Sequence, residues 1–276
     1  MKDFLALMRP LQWVKNILVF APLFFAGEFF SYKFYDVFLF FVQFSLVASA
    51  SYSINDILDR GADSLHNEKR SRPVASGAVS VKSALYLSFF LYASSALLAF
   101  FFTPSALPIL VAYAALSIIY SSYLKNIPII DIIVVASFYL FRIEGGGIVS
   151  GTPISSWLVL CTFFAALFLV IAKRRAEATA AIKRPVLAVY NVAVLEYFLV
   201  IALALTAVSY GIYTVLGPLP RIAVYSNILV MAGLFRYLAL SMLGNGTEFP
   251  EKLFFKDKII LGAVAIWGLF MGVIIY

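Results

Sequence analysis

One short run of the chain carries most of the residues able to do chemistry. Asn55, Asp59 and Asp63 recur every fourth position, with Tyr52 one turn earlier. On a continuing helix they share one face and form a polar stripe. Carboxylates stacked in this way repel one another, and each charge at the centre of a membrane span costs about 2.5–3.5 kcal/mol. A divalent cation relieves both costs. Hard oxygen donors at this spacing suit Mg²⁺, which keeps several waters and joins one or two carboxylates to substrate phosphates. A basic run follows at once, His66, Lys69, Arg70 and Arg72, closing in Pro73 and Gly77. Metal ligands beside guanidinium and ammonium groups are the set a magnesium diphosphate needs. His66 taken alone reads as a surface histidine. The bland alternative, an acidic helix end solvated at an interface, does not account for the cations that follow.

The elements that position this run are apolar. The chain has 276 residues, 63% hydrophobic and 13% charged, with a mean hydropathy of +0.97. Soluble domains carry about 25% charged residues, and repeated apolar runs of ~20 residues mark bilayer-spanning helices. The expected spans are about nine, over roughly 13–30, 34–55, 81–102, 105–123, 127–143, 155–173, 188–211, 222–243 and 259–276. The fold class is therefore all-α, a polytopic membrane protein. The connections are short, so residues 1–276 read as a single transmembrane domain. The one cysteine, Cys161, lies inside an apolar run and excludes a disulfide within the chain. The N-terminal stretch lacks the short apolar region and small-residue cleavage site of a removable signal.

Basic residues orient the spans. On one side lie Lys2, Arg9, Lys15, Arg60, Lys69, Arg70, Arg72, Lys82, Lys125, Lys173, Arg174, Arg175, Lys183, Arg184, Arg236, Lys252, Lys256 and Lys258. The other side keeps only Lys33, Arg142 and Arg221, a split of 18 against 3 among the 21 Lys and Arg. Positive residues stay in the cytoplasm, so the N-terminus and the acidic stripe are expected inside and the C-terminus outside. The net charge of +7 is then mainly a topology signal; no nucleic acid is expected as a partner.

The run Asn55-Asp56-x-x-Asp59-x-x-x-Asp63-x-x-His66-x-x-Lys69-Arg70-x-Arg72-Pro73 resembles the first aspartate-rich motif of the UbiA superfamily of intramembrane prenyltransferases. The resemblance implies nine helices around a central cavity. It also implies a magnesium diphosphate at the cytoplasmic mouth and a lipid chain in a lateral groove. Other stretches resemble the decaprenyl-phosphate phosphoribosyltransferase branch. These are Arg9-Pro10-Leu-Gln12-Trp13-Val-Lys15-Asn16, Tyr120-Ser-Ser-Tyr-Leu124-Lys125 leading to Asp131, Lys173-Arg174-Arg-Ala-Glu177, Phe235-Arg236-Tyr237, and Asp257 before the span of Trp267. That branch implies transfer of phosphoribose from phosphoribosyl pyrophosphate (PRPP) to a polyprenyl phosphate, in the cell membrane, and it permits a homo-oligomer.

One departure from the wider superfamily agrees with the branch. Aromatic prenyltransferases carry a second aspartate-rich motif after span six. Here that loop holds Lys173, Arg174, Arg175, Lys183 and Arg184 around the single carboxylate Glu177, and no aspartate lies between Asp131 and Asp257. Two metal-bound acid clusters are hard to build from this; a site for several phosphates is easier. The same charges also serve as cytoplasmic anchors. Arg142 and Glu144 stand near the expected outer end of span five and point to packing or interhelix pairing. Tyr190 reads equally as an interfacial tyrosine and as a donor to phosphate or sugar.

The expected roles follow. Asn55, Asp59 and Asp63 hold Mg²⁺; Lys69, Arg70 and Arg72 grip phosphate oxygens; Lys15 holds the lipid phosphate; Tyr52 lines the mouth. Tyr120, Lys125, Lys173, Arg174, Glu177 and Tyr190 complete the substrate contacts. A phosphate monoester is already anionic, so no strong base is required. Two other readings compete. One is a UbiA-type prenyltransferase using a prenyl diphosphate and an aromatic or other small acceptor. The other is a lipid or ion transporter, which does not account for the close carboxylate–cation arrangement.

Overall fold

The computed structural model describes residues 2–65, 69–179, 190–244 and 250–276; their regular structure is entirely helical, with no strand among them. His66, Lys183 and Arg184 lie outside the described residues. Among those described, eight helices are long and apolar enough to cross a membrane. In chain order the helices are α1 (Lys2–Met8), α2 (Ala21–Phe25), α3 (Lys33–Leu58), α4 (Arg60–Leu65), α5 (Val81–Phe102), α6 (Leu107–Ser122) and α7 (Ile130–Ser150). They continue as α8 (Ser156–Thr179), α9 (Val192–Leu216), α10 (Ser226–Met242), α11 (Pro250–Lys256) and α12 (Lys258–Ile275).

The first expected span is built differently from the rest. Instead of one α-helix, Pro10–Phe20 forms a 3₁₀ helix that runs directly into α2. Arg9, just before it, adopts a left-handed conformation (φ 53°), and Pro10 opens the segment. A 3₁₀ helix rises about 2 Å per residue against 1.5 Å for an α-helix. Laid end to end, the two pieces reach about 30 Å, the thickness of a bilayer core. The eight other expected spans each coincide with a helix, with ends displaced by a few residues.

The chain divides into two compact units. The first comprises residues 1–24, 28–134 and 141–153. Its centre is α3, which packs on α5, α6 and the 3₁₀ segment. Small polar residues make this close packing work, as they do generally between helices in lipid. Ser45, Ser49 and Ser53 recur every fourth residue and are buried. Asn16 donates to Ser45 (3.0 Å), Trp13 donates to Ser49 (3.0 Å), and Ser49 donates to the Met8 carbonyl (2.8 Å). Ser95 donates to the Gln43 carbonyl (2.9 Å) and Thr103 to the Gln43 side chain (2.9 Å), tying α5 and the turn after it to α3.

Arg142 falls inside α7 rather than near its end, because the helix continues to Ser150 where the expected span stopped at roughly 143. The guanidinium is buried; it donates to Asn16 Oδ1 (2.9 Å) and lies 4.9 Å from the centre of the Phe44 ring. Pairing between elements is thus its observed setting. The glycines after it explain the close approach. A Cβ on Gly145 would sit 2.1 Å from Phe40 Cζ, and one on Gly146 would sit 1.9 Å from the Val19 carbonyl oxygen. Only glycine lets α7 lie this near the 3₁₀ segment.

The second unit comprises residues 25–27, 135–140 and 154–276. Here α8 packs on α9, and α10 packs on α12. Asn191 caps α9 by accepting from the Ala193 amide (2.9 Å). Asp257 caps α12 by accepting from the Ile259 and Ile260 amides (3.1 and 3.0 Å). The other Asp257 oxygen accepts from Arg236 at 2.8 and 3.0 Å, so one carboxylate joins α10 to α12. The Arg236 guanidinium, and behind it the Ile260 amide, hold the Asp257 carboxyl below the usual carboxylate range.

Candidate active site

The acidic stripe occupies the end of α3 and the short helix α4. Asp59 closes α3 as its C-cap, yet the backbone hydrogen bonds run on through the junction: Asp59 N–H to the Asn55 carbonyl (2.9 Å) and Asp63 N–H to the Asp59 carbonyl (2.8 Å). The four-residue register expected from the sequence therefore persists. The side chains, however, divide into two groups.

The first group is Asn55, Asp59 and Lys125. The Asn55 amide donates to Asp59 Oδ2 (3.1 Å), and Lys125 Nζ donates to Asp59 Oδ1 (2.5 Å). Lys125 arrives from the 3₁₀ turn after α6. The second group is Asp63, Arg72, Asp56 and Arg9. Arg72 donates to Asp63 Oδ2 (2.6 Å) and to Asp56 Oδ1 (3.1 Å). Arg9 also donates to Asp56 Oδ1, and its guanidinium carbon lies 5.3 Å from the centre of the Tyr52 ring. The order Arg9, Asp56, Arg72, Asp63 alternates in charge. Asp56 is 1% exposed, and its Oδ2 has no hydrogen-bond partner among the described residues.

Asp63 thus turns to Arg72 rather than to Asp59, because a guanidinium partner is electrostatically preferable to a second carboxylate. No group of three or more His, Cys, Asp or Glu suited to a metal occurs among the described residues. The Asn55–Asp59 pair remains as the hard-oxygen donor set, an amide and a carboxylate already in contact. It matches an ion that takes one or two protein oxygens and keeps water and phosphate for the rest.

The other expected residues are distributed around these groups. Lys69 is buried in the 3₁₀ turn Lys69–Ser71, while Arg70 in the same turn is exposed. Lys15 lies in the first 3₁₀ segment and donates to Gln12 (2.5 Å). Tyr120 stands half-buried in the last turn of α6. Asp56 and Arg9 were not among the residues expected to do chemistry, although both fall inside the motifs that carry the resemblance.

The second unit has its own charged cluster at the end of α8. Arg174 donates to Glu177 (2.6 Å), one turn further along, and both are buried. Arg175 points elsewhere. It donates twice to Glu196 Oε1 (2.9 and 2.6 Å) and to the Ser241 carbonyl (2.6 Å) at the end of α10. Lys173 is half-buried in the same turn, and Tyr190 is buried just before α9.

These features define a multi-pass membrane protein with acid–guanidinium clusters at its helix ends. The chain belongs to the UbiA prenyltransferase family, which matches residues 17–256. It is an integral membrane transferase. A decaprenyl-phosphate phosphoribosyltransferase of Mycobacterium tuberculosis is 33% identical over 272 residues, covering 94% of this chain and 90% of the relative. One of the same name from Corynebacterium glutamicum is 33% identical over 278 residues, covering 94% and 82%. Among solved structures, a UbiA homologue from Archaeoglobus fulgidus bound to DMAPP and Mg²⁺ superposes with a TM-score of 0.72 at 19% identity, covering 99% of both chains. At that identity the likeness concerns the fold.

Proposed function

We propose that this protein transfers 5-phosphoribose from PRPP to a polyprenyl phosphate, such as decaprenyl phosphate, and releases diphosphate. The observation that carries this reading is the 33% identity, over 94% of the chain, to relatives named for that reaction. The charges of the second unit agree with it: beside Glu177 stand Lys173 and Arg174, a basic helix end suited to phosphates.

Asn55 and Asp59 are the residues that would hold Mg²⁺, with Asp63 the next carboxylate along the register. Bound there, the ion would offset charge on the departing diphosphate. Lys69, Arg70 and Arg72 serve the diphosphate oxygens, Arg by bidentate contact and Lys as a point charge. Lys125 joins them. Lys15 receives the phosphate of the lipid, with Tyr52 and Tyr120 lining its approach. Lys173, Arg174 and Tyr190 contact the remaining phosphate and sugar oxygens, and Glu177 holds Arg174 in place. The bond from the ribose C1 to diphosphate breaks and its electron pair leaves with diphosphate. A lipid phosphate oxygen forms the new bond from the opposite face, inverting the anomeric centre. The attacking oxygen is already anionic, so no proton need be removed. Residues 1–276 act in this as one domain, in the cell membrane, with the N-terminus and the reaction on the cytoplasmic side.

The test is an incubation of purified protein with labelled PRPP, Mg²⁺ and decaprenyl phosphate, followed by phase separation. Label is expected in the lipid phase and is expected to vanish with EDTA. Intact PRPP, together with consumption of a prenyl diphosphate and an aromatic acceptor, would overturn the reading in favour of the other UbiA chemistry.

A further inference from the structure

We infer that Lys125 is the resident counter-ion of Asp59, and that its transfer from Asp59 to the incoming diphosphate makes metal and diphosphate bind cooperatively. The inference rests on the metal–diphosphate site proposed above and concerns how that site is entered.

Three carboxylates, Asp56, Asp59 and Asp63, are joined to three cations, Arg9, Arg72 and Lys125. Each of these acids already has a cation as partner. A metal ion arriving alone must compete with a cation for a carboxylate that is already paired. A diphosphate arriving alone must draw cations away from acids and leave those acids unpaired. Either binding alone strands a charge in a site that is largely shut off from water, which is costly. When both bind, every charge regains a partner: the metal takes the acid, and the displaced cation takes the phosphate.

The two groups of side chains differ in how readily they can open. Arg72 bridges two carboxylates, and Asp56 is shared by two guanidiniums, so releasing either arginine breaks a network. Among the described residues Lys125 is ion-paired with Asp59 alone, across 66 residues of chain, and is 13% exposed against 11% for its partner. A lysine is a point charge on a flexible stem and can shift its ammonium without moving the backbone. Asp59 is also the carboxylate that touches Asn55, through Oδ2, so Lys125 holds the other oxygen of the acid in the proposed donor pair for the metal.

The consequence is reciprocal coupling. Pyrophosphate strengthens Mg²⁺ binding, and Mg²⁺ strengthens pyrophosphate binding by the same factor, as linkage requires. Removing Lys125 has an unusual signature. The metal alone binds more tightly, because its competitor is gone. The ternary complex weakens, because the diphosphate has lost a cation.

The experiment is calorimetric titration of the full chain in nanodiscs with Mg²⁺ and with inorganic pyrophosphate, singly and together. A titration without protein accounts for their association in solution. In the wild type each is expected to strengthen the other by about tenfold. In Lys125→Met, Mg²⁺ alone is expected to bind about fivefold tighter, with the coupling reduced below about threefold. Lys125→Arg, which keeps the charge, is expected to retain the coupling. Independent binding of the two in the wild type overturns the inference even if Lys125→Met does not fold. Equal or weaker Mg²⁺ binding in a folded Lys125→Met also overturns it, while leaving the proposed reaction standing. A wild type that binds neither overturns both.

Discussion

The two charged clusters are assembled on opposite plans. In the first unit, acids and cations pair over long chain separations, from Asp63 with Arg72 nine residues away to Asp59 with Lys125 at 66. The cations are side chains answering side chains. In the second unit, Arg174 pairs with Glu177 one turn along its own helix. Its neighbour Arg175 is committed to Glu196 and to the Ser241 carbonyl, where it satisfies an oxygen at the end of α10. Arg175 cannot leave for a substrate without uncapping that helix. Identical side chains at adjacent positions thus differ in setting: Arg175 fastens α8 to α9 and α10, whereas Arg174 is paired within its own helix. An ion pair between side chains can be exchanged for a ligand; one that satisfies backbone carbonyls is architecture.

Substitutions can break this contrast. The largest effect is expected for Asp59→Asn, which keeps the shape and removes the charge on the exchangeable oxygen. Turnover should fall on the order of a hundredfold and the Mg²⁺ requirement should rise. Unchanged turnover at limiting Mg²⁺ would remove Asp59 from the metal site. Asp56→Asn comes next. It strands Arg9 beside a neutral amide and leaves Arg72 with Asp63 alone, and thermal unfolding in nanodiscs should show a loss of about 3 kcal/mol. An unchanged melting temperature would mean that the alternating network contributes nothing to the fold.

A smaller change is expected on the other side of the comparison. Arg175→Lys retains a cation and loses the planar fork. Stability should drop by about 1–2 kcal/mol while the KM for PRPP stays the same. A raised KM at unchanged stability would place Arg175 with the substrate and erase the distinction. The smallest effect concerns Asp257. Arg236 lowers its carboxyl below the usual range, so the charge contribution of this pair is fully present above the ordinary carboxylate value. It is lost as pH falls through the lowered value. Asp257→Asn keeps a competent helix cap, so its acid unfolding curve should differ from the wild type only by a slightly shallower decline. Coincident curves would show that the Arg236 contact carries no net charge stabilisation.

Much of the architecture was legible in the sequence because lipid imposes a length on every helix. Eight apolar runs mapped directly onto helices for that reason. The first did not announce its form: hydropathy registers an apolar segment equally whether it winds as 3₁₀ or α. Pro10 and Pro22 mark the neighbourhood without specifying the winding. The acidic register was legible because it is local, every fourth residue on one helix. Its division into two groups was not, since that depends on Arg9 and Lys125, which approach from distant parts of the chain. Asp56 escaped notice for a related reason. Its position, one residue after Asn55, puts it about 100° around the helix from the expected stripe. Only the three-dimensional arrangement reveals Arg9 and Arg72 meeting it there.

The most direct test of the central claim uses PRPP labelled with ¹⁴C in the ribose and ³²P in the β-phosphate. The protein is supplied with Mg²⁺ and decaprenyl phosphate, and both phases are counted. The account predicts ribose carbon in the lipid phase and β-phosphorus in the aqueous phase as diphosphate, in equal amounts. Both labels in the lipid would indicate transfer of the diphosphate instead. Both labels left in water, with the decaprenyl phosphate unchanged, would contradict the proposed reaction outright.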